Sequence, residues 1–345
     1  MRKVYLMLFV LILLGNFVIP VCAETSDVKI SHKRISTKSA DSRGSLYLTI
    51  YEPTDNQNHP AFVICPGSWE DSEAWDLYFP PFSREFIAKQ GFVVVGWDPR
   101  GSFMANPASM GVPTSLDPEK YGIGRSFPPY PPSILMLNET LIDDLYDVIT
   151  YASNLKSVLP NKITLMGFSH GATYPIIEKS VKKDRRVSTI VSIEPIGDEA
   201  SLVDMIIGNV PVVGDMAVGA ASLIPENLYD RVLWEPLKNI PPHIMGLATS
   251  YIDGVNCPLI VMQSEQFHAS FTAPIFGGEC KLPGVSLYNS ATKVPYKRLN
   301  RNPVNASGDE LTDFFPSPIW NDGDLFTDYF INYIKPVVLR YAGVH

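Results

Sequence analysis

Short, almost unbroken runs of Val, Ile and other apolar residues recur through the chain: Ala61 to Cys65, Phe92 to Trp97, Ile163 to Met166, Val187 to Ile193 and Leu259 to Met262. A run of this length without polar alternation suits a strand covered on both faces, as in a parallel sheet. Between the runs the period changes. Leu141-Ile142, Leu145, Val148-Ile149 and Ala152 line one face of a helix, with Asp143, Asp144 and Asp147 expected on its solvent side. Strands and helices in alternation predict an α/β fold, one doubly wound and mostly parallel sheet. Ahead of them, Ser45 to Tyr51 alternates apolar and polar residues between Gly44 and Pro53, the mark of a strand exposed on one face.

Two stretches break the rhythm. Ser102 to Leu137 is rich in Pro, Gly and Ser and reads as a long loop. Glu199 to Val255 contains "MIIGNVPVVGDMAVGAASLI", apolar enough to suggest a membrane span, but Asn209, Pro211, Asp215 and its glycines argue against one. A mostly helical cap over about residues 199–255, inserted between two strands, is the expectation.

Residues 1–23 have the layout of a cleaved secretory signal: Arg2-Lys3, an apolar core from about Val4 to Leu14, and small residues Val21 and Ala23 before Glu24. The chain is therefore expected to be secreted, to the periplasm or the cell exterior. A single domain is expected over residues 24–345, with no stable membrane span after cleavage. Its net charge of -8 and lack of a basic run give no electrostatic footprint for nucleic acid. Cys65 lies inside an apolar run and reads as a buried thiol. Cys257 and Cys280 flank one loop and, in an oxidising compartment, either pair or stay free. Asn138 and Asn305 head glycosylation sequons, relevant only in a host that glycosylates.

The run from Ile163 ends in Gly167-Phe168-Ser169-His170-Gly171, and a helix-compatible stretch from Ala172 to Lys182 follows. Alone, Gly-x-Ser-x-Gly is a weak pattern. Between a strand and a helix it marks a sharp turn that lifts a serine hydroxyl above the sheet at a helix N-terminus. Together with "AFVICPGSW" at 61–69, "GFVVVGWDPRGS" at 91–102 and "CPLIVMQSEQF" at 257–267, it makes the chain resemble the α/β-hydrolase family from about Gly44 to Leu339. The resemblance implies a hydrolase of carboxylic esters working through an acyl-serine, with Ser169 as nucleophile. It also implies an oxyanion hole formed by the backbone N–H groups of Ser68 and His170. Asp98 and Arg100, in the Asp-x-Arg-Gly turn, read as a structural turn and salt-bridge pair.

Glu194 ends the run Val187 to Ile193 and precedes Pro195. In chlorophyllases and platelet-activating-factor acetylhydrolases the triad acid follows this strand, and "SIEPIGD" resembles the Asp-Pro form of the former, with Glu for Asp. Glu265 ranks below it, because "NCPLIVMQSEQF" resembles a non-catalytic segment of the acetylhydrolases. The family's histidine follows the last strand, here about Tyr296 to Asn300, ahead of a closing helix from Leu325 to Leu339. There this chain carries Asn305, and an amide cannot take the serine proton at neutral pH.

Of the histidines, His32 precedes the core strands, His59 sits before a strand's amino end on the wrong side of the sheet, His243 belongs to the cap, and His345 ends the chain. The side chain of His170 is expected to run along the turn. His268, just past Leu259 to Met262, is the provisional base; two strand spacings, ~9.6 Å, separate its strand from that of Ser169. The partner expected is a small-molecule ester, acyl or lipid-like, favoured by the apolar cap and by Trp69, Trp75 and Phe103 above the sheet. No metal set and no phosphate-binding loop stand out, so no cofactor is expected. The competing reading is a hydrolase-fold binding or scaffold protein without catalysis, which the absent late histidine favours.

Overall fold

The computed structural model describes residues 27–37, 44–67, 71–79, 82–100, 138–195, 248–263, 283–301 and 327–344. Among these residues eight strands form one sheet: β1 (Val28–Ser36), β2 (Ser45–Pro53), β3 (His59–Cys65), β4 (Val93–Trp97), β5 (Val158–Phe168), β6 (Val187–Ile193), β7 (Leu259–Gln263) and β8 (Lys297–Arg301). Their spatial order is β1-β2-β4-β3-β5-β6-β7-β8. β1 and β2 run antiparallel to their neighbours, and β4 through β8 are parallel. Sequence order turns back between β3 and β5, the switch point at which open α/β sheets place their ligands.

Alternation within each strand divides the core in two. Ala61, Val63 and Cys65 of β3 pack beneath α3 (Asn138–Ser153), α4 (Tyr174–Lys182) and α5 (Pro283–Ser290). Phe62 and Ile64 face the other layer, made by α1 (Ala74–Tyr78), α2 (Arg84–Lys89), a π turn at Phe330–Ile334 and α6 (Lys335–Ala342). Sheet and two helical layers make the doubly wound architecture that the apolar runs predict. A 3-10 helix at Ala248–Gly254 packs on the first layer at the end of the expected cap. The rest of that cap and residues 1–26 lie outside the described residues. Among the described residues no helix is long and apolar enough to cross a membrane.

Several details differ from expectation. β2 is buried nearly throughout rather than exposed on one face, because the two layers reach over it; only Tyr47 and Glu52 are partly exposed. β5 begins at Val158, and the five-residue step from Val158 to Ile163 opposes the two-residue step from His59 to Ala61, so the chain bulges around Pro160, which has no N–H to donate. β1 escapes the apolar-run criterion because "VKISHKRIS" is mostly exposed. It forms one edge of the sheet and carries Lys29, Lys33 and Arg34; β8, the other edge, carries Lys297 and Arg298.

The acids of α3 also depart from their expected places. Asp144 and Asp147 are buried. Asp144 takes a two-pronged contact from Arg100, Nε to Oδ2 at 2.8 Å and Nη2 to Oδ1 at 2.9 Å, with both side chains fully enclosed. Burial pushes this carboxyl above the ordinary range, to about 6, against the guanidinium's pull. Gly44 makes the room, since a Cβ there would lie 2.1 Å from Arg100 Nη1. Asp98 and Arg100 each have a structural partner elsewhere, Arg100 in Asp144. Asp98 accepts from the Ser72 backbone N–H at 3.0 Å and hydroxyl at 2.9 Å.

Cys257 is a free, buried thiol rather than half of a bridge, and Cys280 lies outside the described residues. Cys65 is the buried thiol expected of it. Trp75, read as a residue above the site, is enclosed against Phe79 and Phe82, and its indole N–H donates to the Phe82 carbonyl at 3.0 Å.

One buried acid on α4 has a measurable consequence. Glu178 is fully enclosed and neither carboxylate oxygen has a hydrogen-bond partner, while neighbouring Lys179 donates instead to the carbonyls of Asp184 and Val187. Burial, with Asp184 adding to it, pushes Glu178 from an ordinary 4.5 to about 8; Lys179, Arg186 and Lys182 oppose the shift without cancelling it. The folded state thus holds a proton that the unfolded chain has lost between about pH 4.5 and 8, so stability falls as pH rises through that window. The expected slope from this group is about 1.4 kcal/mol per pH unit. Glu178→Gln should flatten it, as read from urea unfolding at pH 5 and pH 8.

Candidate active site

β5 ends at Phe168, and the chain then makes a 3-10 turn at Ser169–Ala172 before α4 begins. Ser169 sits at the apex with φ of 55°, in the left-handed region that costs a non-glycine residue about 1–3 kcal/mol. The flanking glycines are a steric requirement. A Cβ on Gly167 would lie 1.9 Å from the Gly171 carbonyl oxygen, and one on Gly171 would lie 2.1 Å from that of Pro66 and 2.3 Å from that of Cys65. The elbow therefore seats directly on the end of β3, and Pro66 stands two residues before Ser68. Ser192 Oγ on β6 adds a tie from the other side, donating to the Ala172 carbonyl at 3.2 Å.

The imidazole of His170 lies against Tyr174 at the start of α4: its Nδ1 is 2.7 Å from the Tyr174 hydroxyl, and the two rings meet edge to face at 4.6 Å. Ser68, His268, Glu265, His243, Asn305, Trp69, Phe103 and His345 lie outside the described residues. His32 contacts Thr49 Oγ1 at 3.3 Å and stacks on Tyr47, on the far edge strand. His59 binds Asp55 at 2.8 Å and the Gly91 carbonyl at 3.0 Å, at the amino end of β3. Both sit where the sequence places them, remote from Ser169.

Glu194 is brought beside Ser169. Phe168 of β5 is the register partner of Ile193 of β6, so Ser169 and Glu194 are the next residues on neighbouring strands, with one strand spacing, about 4.8 Å, between the strands. Glu194 also has a left-handed backbone, φ 48°, and its N–H donates to the Met262 carbonyl at 2.8 Å. Its side chain is fully buried. Two adjacent strands therefore each end in a strained, non-glycine residue. Strain of this kind persists only where the surroundings over-determine it, and it concentrates at functional sites.

A third residue completes the row. Ile193 is the register partner of Met262, and the next residue of β7 is Gln263, likewise fully buried. Gln263 Nε2 donates to Glu194 Oε2 at 2.6 Å, and its Oε1 accepts from the Gly284 N–H of α5 at 2.7 Å. Gly284 is needed there, since a Cβ would lie 2.7 Å from Gln263 Oε1. The amide is used at both ends, so the carboxylate is held to a helix as well as to the sheet. Gln263 is the residue that sequence reasoning missed. Its only signal is that it breaks the apolar run "CPLIVMQ" at the strand's carboxyl end. Among the described residues no group of His, Cys, Asp and Glu is arranged to hold a metal ion.

No protein-family model matches the chain, and no curated protein sequence matches it. Solved structures do. Acetyl xylan esterase 1 from Thermoanaerobacterium sp. JW/SL YS485 superposes with a TM-score of 0.54 at 16% identity, over 93% of this chain and 90% of that one. An esterase of Pyrococcus furiosus gives 0.53 at 15% identity, over 91% of each chain. The α/β hydrolase GrgF from Penicillium sp. sh18 gives 0.51 at 15% identity, over 91% of this chain and 99% of that one. With its eight-stranded, mostly parallel sheet and its serine elbow at the carboxyl end of β5, this chain has the α/β-hydrolase fold.

Proposed function

We propose that this protein is a secreted serine hydrolase that cleaves small carboxylic esters, acyl or lipid-like, through an acyl-serine. The observation that carries the reading is the pairing of Ser169 with Glu194: two strained residues side by side at the carboxyl ends of β5 and β6, the second clamped by Gln263. The fold shared with several esterases supports the reaction class. The layout of residues 1–23 supports export.

In this reading Ser169 Oγ attacks the ester carbonyl carbon while a base takes its proton. The carbonyl oxygen becomes an oxyanion held by the N–H groups of Ser68 and His170, each donor contributing on the order of 3 kcal/mol to the transition state. Collapse breaks the bond to the alcohol, which leaves with the proton. Water then releases the acid by the same steps in reverse order, freeing Ser169. His268 is assigned as the base and Glu194 as the acid that orients it, keeping the chain order Ser169, Glu194, His268. The tight seating of Gly171 on Pro66 supports the oxyanion assignment, because it presses the loop leading to Ser68 against the turn that carries the His170 N–H.

The second reading, a hydrolase-fold binding protein without catalysis, rests on Asn305 standing where the resemblance places the late histidine. A fluorophosphonate probe separates the two. The mature protein should label covalently, Ser169→Ala should not label and should lose ester hydrolysis by about 10³-fold or more, and His268→Ala should suppress both strongly. Absent labelling of the unaltered protein leaves the binding reading. Labelling that persists in His268→Ala removes that histidine from the mechanism.

Gln263 is expected to act through Glu194. Gln263→Met keeps the length and loses the donor, and should lower kcat roughly tenfold or more with little change in KM, the effect of one hydrogen bond to a charged group. Gln263→Glu sets a second carboxyl against Glu194. That should move the acid limb of the pH–rate profile to higher pH, since like charges oppose ionisation. An unmoved limb would reduce Gln263 to packing.

A further inference from the structure

The closing helix runs against β8 and places a second set of polar groups at the sheet edge. Tyr341 meets Tyr296 with ring centroids 5.9 Å apart, and further along Arg298 lies over the Tyr333 ring at 4.1 Å, so helix and strand are antiparallel. Tyr329 lies one helical turn before Tyr333, their ring centroids 5.1 Å apart, so it stands beside the ring that Arg298 covers. Alternation puts Arg298 and Asn300 on one face, and Arg298 Nε donates to Asn300 Oδ1 at 3.0 Å.

That bond turns the Asn300 amide so that Nδ2 points away from Arg298. Nδ2 is buried without a hydrogen-bond partner, and so is the hydroxyl of Tyr329, a residue 1% exposed. Orphaned donors of this kind cost about 1–3 kcal/mol each when nothing fills them. Among the described residues, no carboxylate pairs with the Arg298 guanidinium. Burial pushes the Tyr329 phenol well above its ordinary value, so the hydroxyl stays a neutral donor. Tyr329 is followed directly by the π turn at Phe330–Ile334, a helix irregularity that recurs at functional sites. Arg298 and Tyr333 are partly exposed, so solvent reaches the outer side of the seam.

We propose that the seam between β8 and the closing helix binds a carboxylate group, held by Arg298, Asn300 and Tyr329. All three present donors, so the ligand group must be an acceptor. One guanidinium beside two neutral donors balances one negative charge, which matches a carboxylate better than a phosphate dianion. The planar fork of arginine suits its two oxygens. The site faces the layer opposite to Gln263 and does not depend on ester hydrolysis. Its carboxylate comes either from the far end of an ester substrate or from a separate small acid.

Thermal unfolding with sodium propionate, against sodium chloride at equal ionic strength, tests the site. A saturable rise in the midpoint is expected. Tyr329→Phe, which removes only the orphaned hydroxyl, should fold and bind propionate roughly tenfold more weakly, and Arg298→Met should lose the effect. Should the Met variant fail to fold, Arg298→Lys keeps the charge without the fork and should also weaken binding. No saturable rise, or one unchanged in Tyr329→Phe, overturns the proposal and leaves the seam to an ordered water. A pair of p-nitrophenyl esters, one acyl chain ending in a carboxylate and the other of equal length ending in a methyl, identifies the source. A lower KM for the first, lost in Tyr329→Phe, means the substrate's own carboxylate. Equal KM values beside saturable propionate binding mean a separate acid.

Discussion

The backbone-to-backbone contact between Gly171 and the end of β3 is the constraint on which the site depends. It leaves no volume for a side chain at either elbow glycine, so the turn can close only in one way, with Ser169 forced into the left-handed region. From there the register carries the arrangement sideways. Phe168 opposes Ile193 and Ile193 opposes Met262, so whatever follows each strand falls into a row: serine, glutamate, glutamine. Each strand end thus inherits its neighbour's position, and a shift of register in one would dissolve the row.

The row is held by polar groups that the core has fully enclosed. Gln263 satisfies Glu194 and is itself satisfied by the backbone of α5, and Asp98 gathers both donors of Ser72 on the opposite flank. Ser72 in turn accepts from Arg84, which also pairs with Asp76, so the segment leaving the β3 loop is tied to α1 and α2. Arg100 and Asp144 do the same for the end of β4 and α3. Removing one partner of such a buried pair typically costs 3–5 kcal/mol. The carboxyl edge of the sheet is accordingly stiffest where the candidate chemistry sits.

The parallel strands were legible because burial on both faces demands unbroken apolar runs, a pattern that few other environments produce. Ser169 was legible because steric exclusion demands its two glycines, and Glu194 because an acid closing an apolar run is conspicuous. Asp144 was not. Helical periodicity assigns any charged residue to the solvent side unless its counter-charge is known, and Arg100 lies 44 residues away in sequence. Gln263 was hidden for a similar reason, since a glutamine at a strand end has many uses and only the register reveals that it meets Glu194. The base was the least legible. Asn305 occupies the position that would have announced it, and His268 carries no flanking pattern of its own.

The two margins of the sheet share a sign. β1 carries Lys29, Lys33 and Arg34, and β8 carries Lys297 and Arg298, in a chain whose net charge is -8. Unpaired strand edges are templates for joining sheet to sheet, and lysine-rich edges are a common defence against it. Whether two copies meet first edge to first, last to last, or first to last, cations approach cations. The overall negative charge repels other copies at a distance while the margins refuse one another at contact, so that concentrated copies are steered away from ribbon-like self-association.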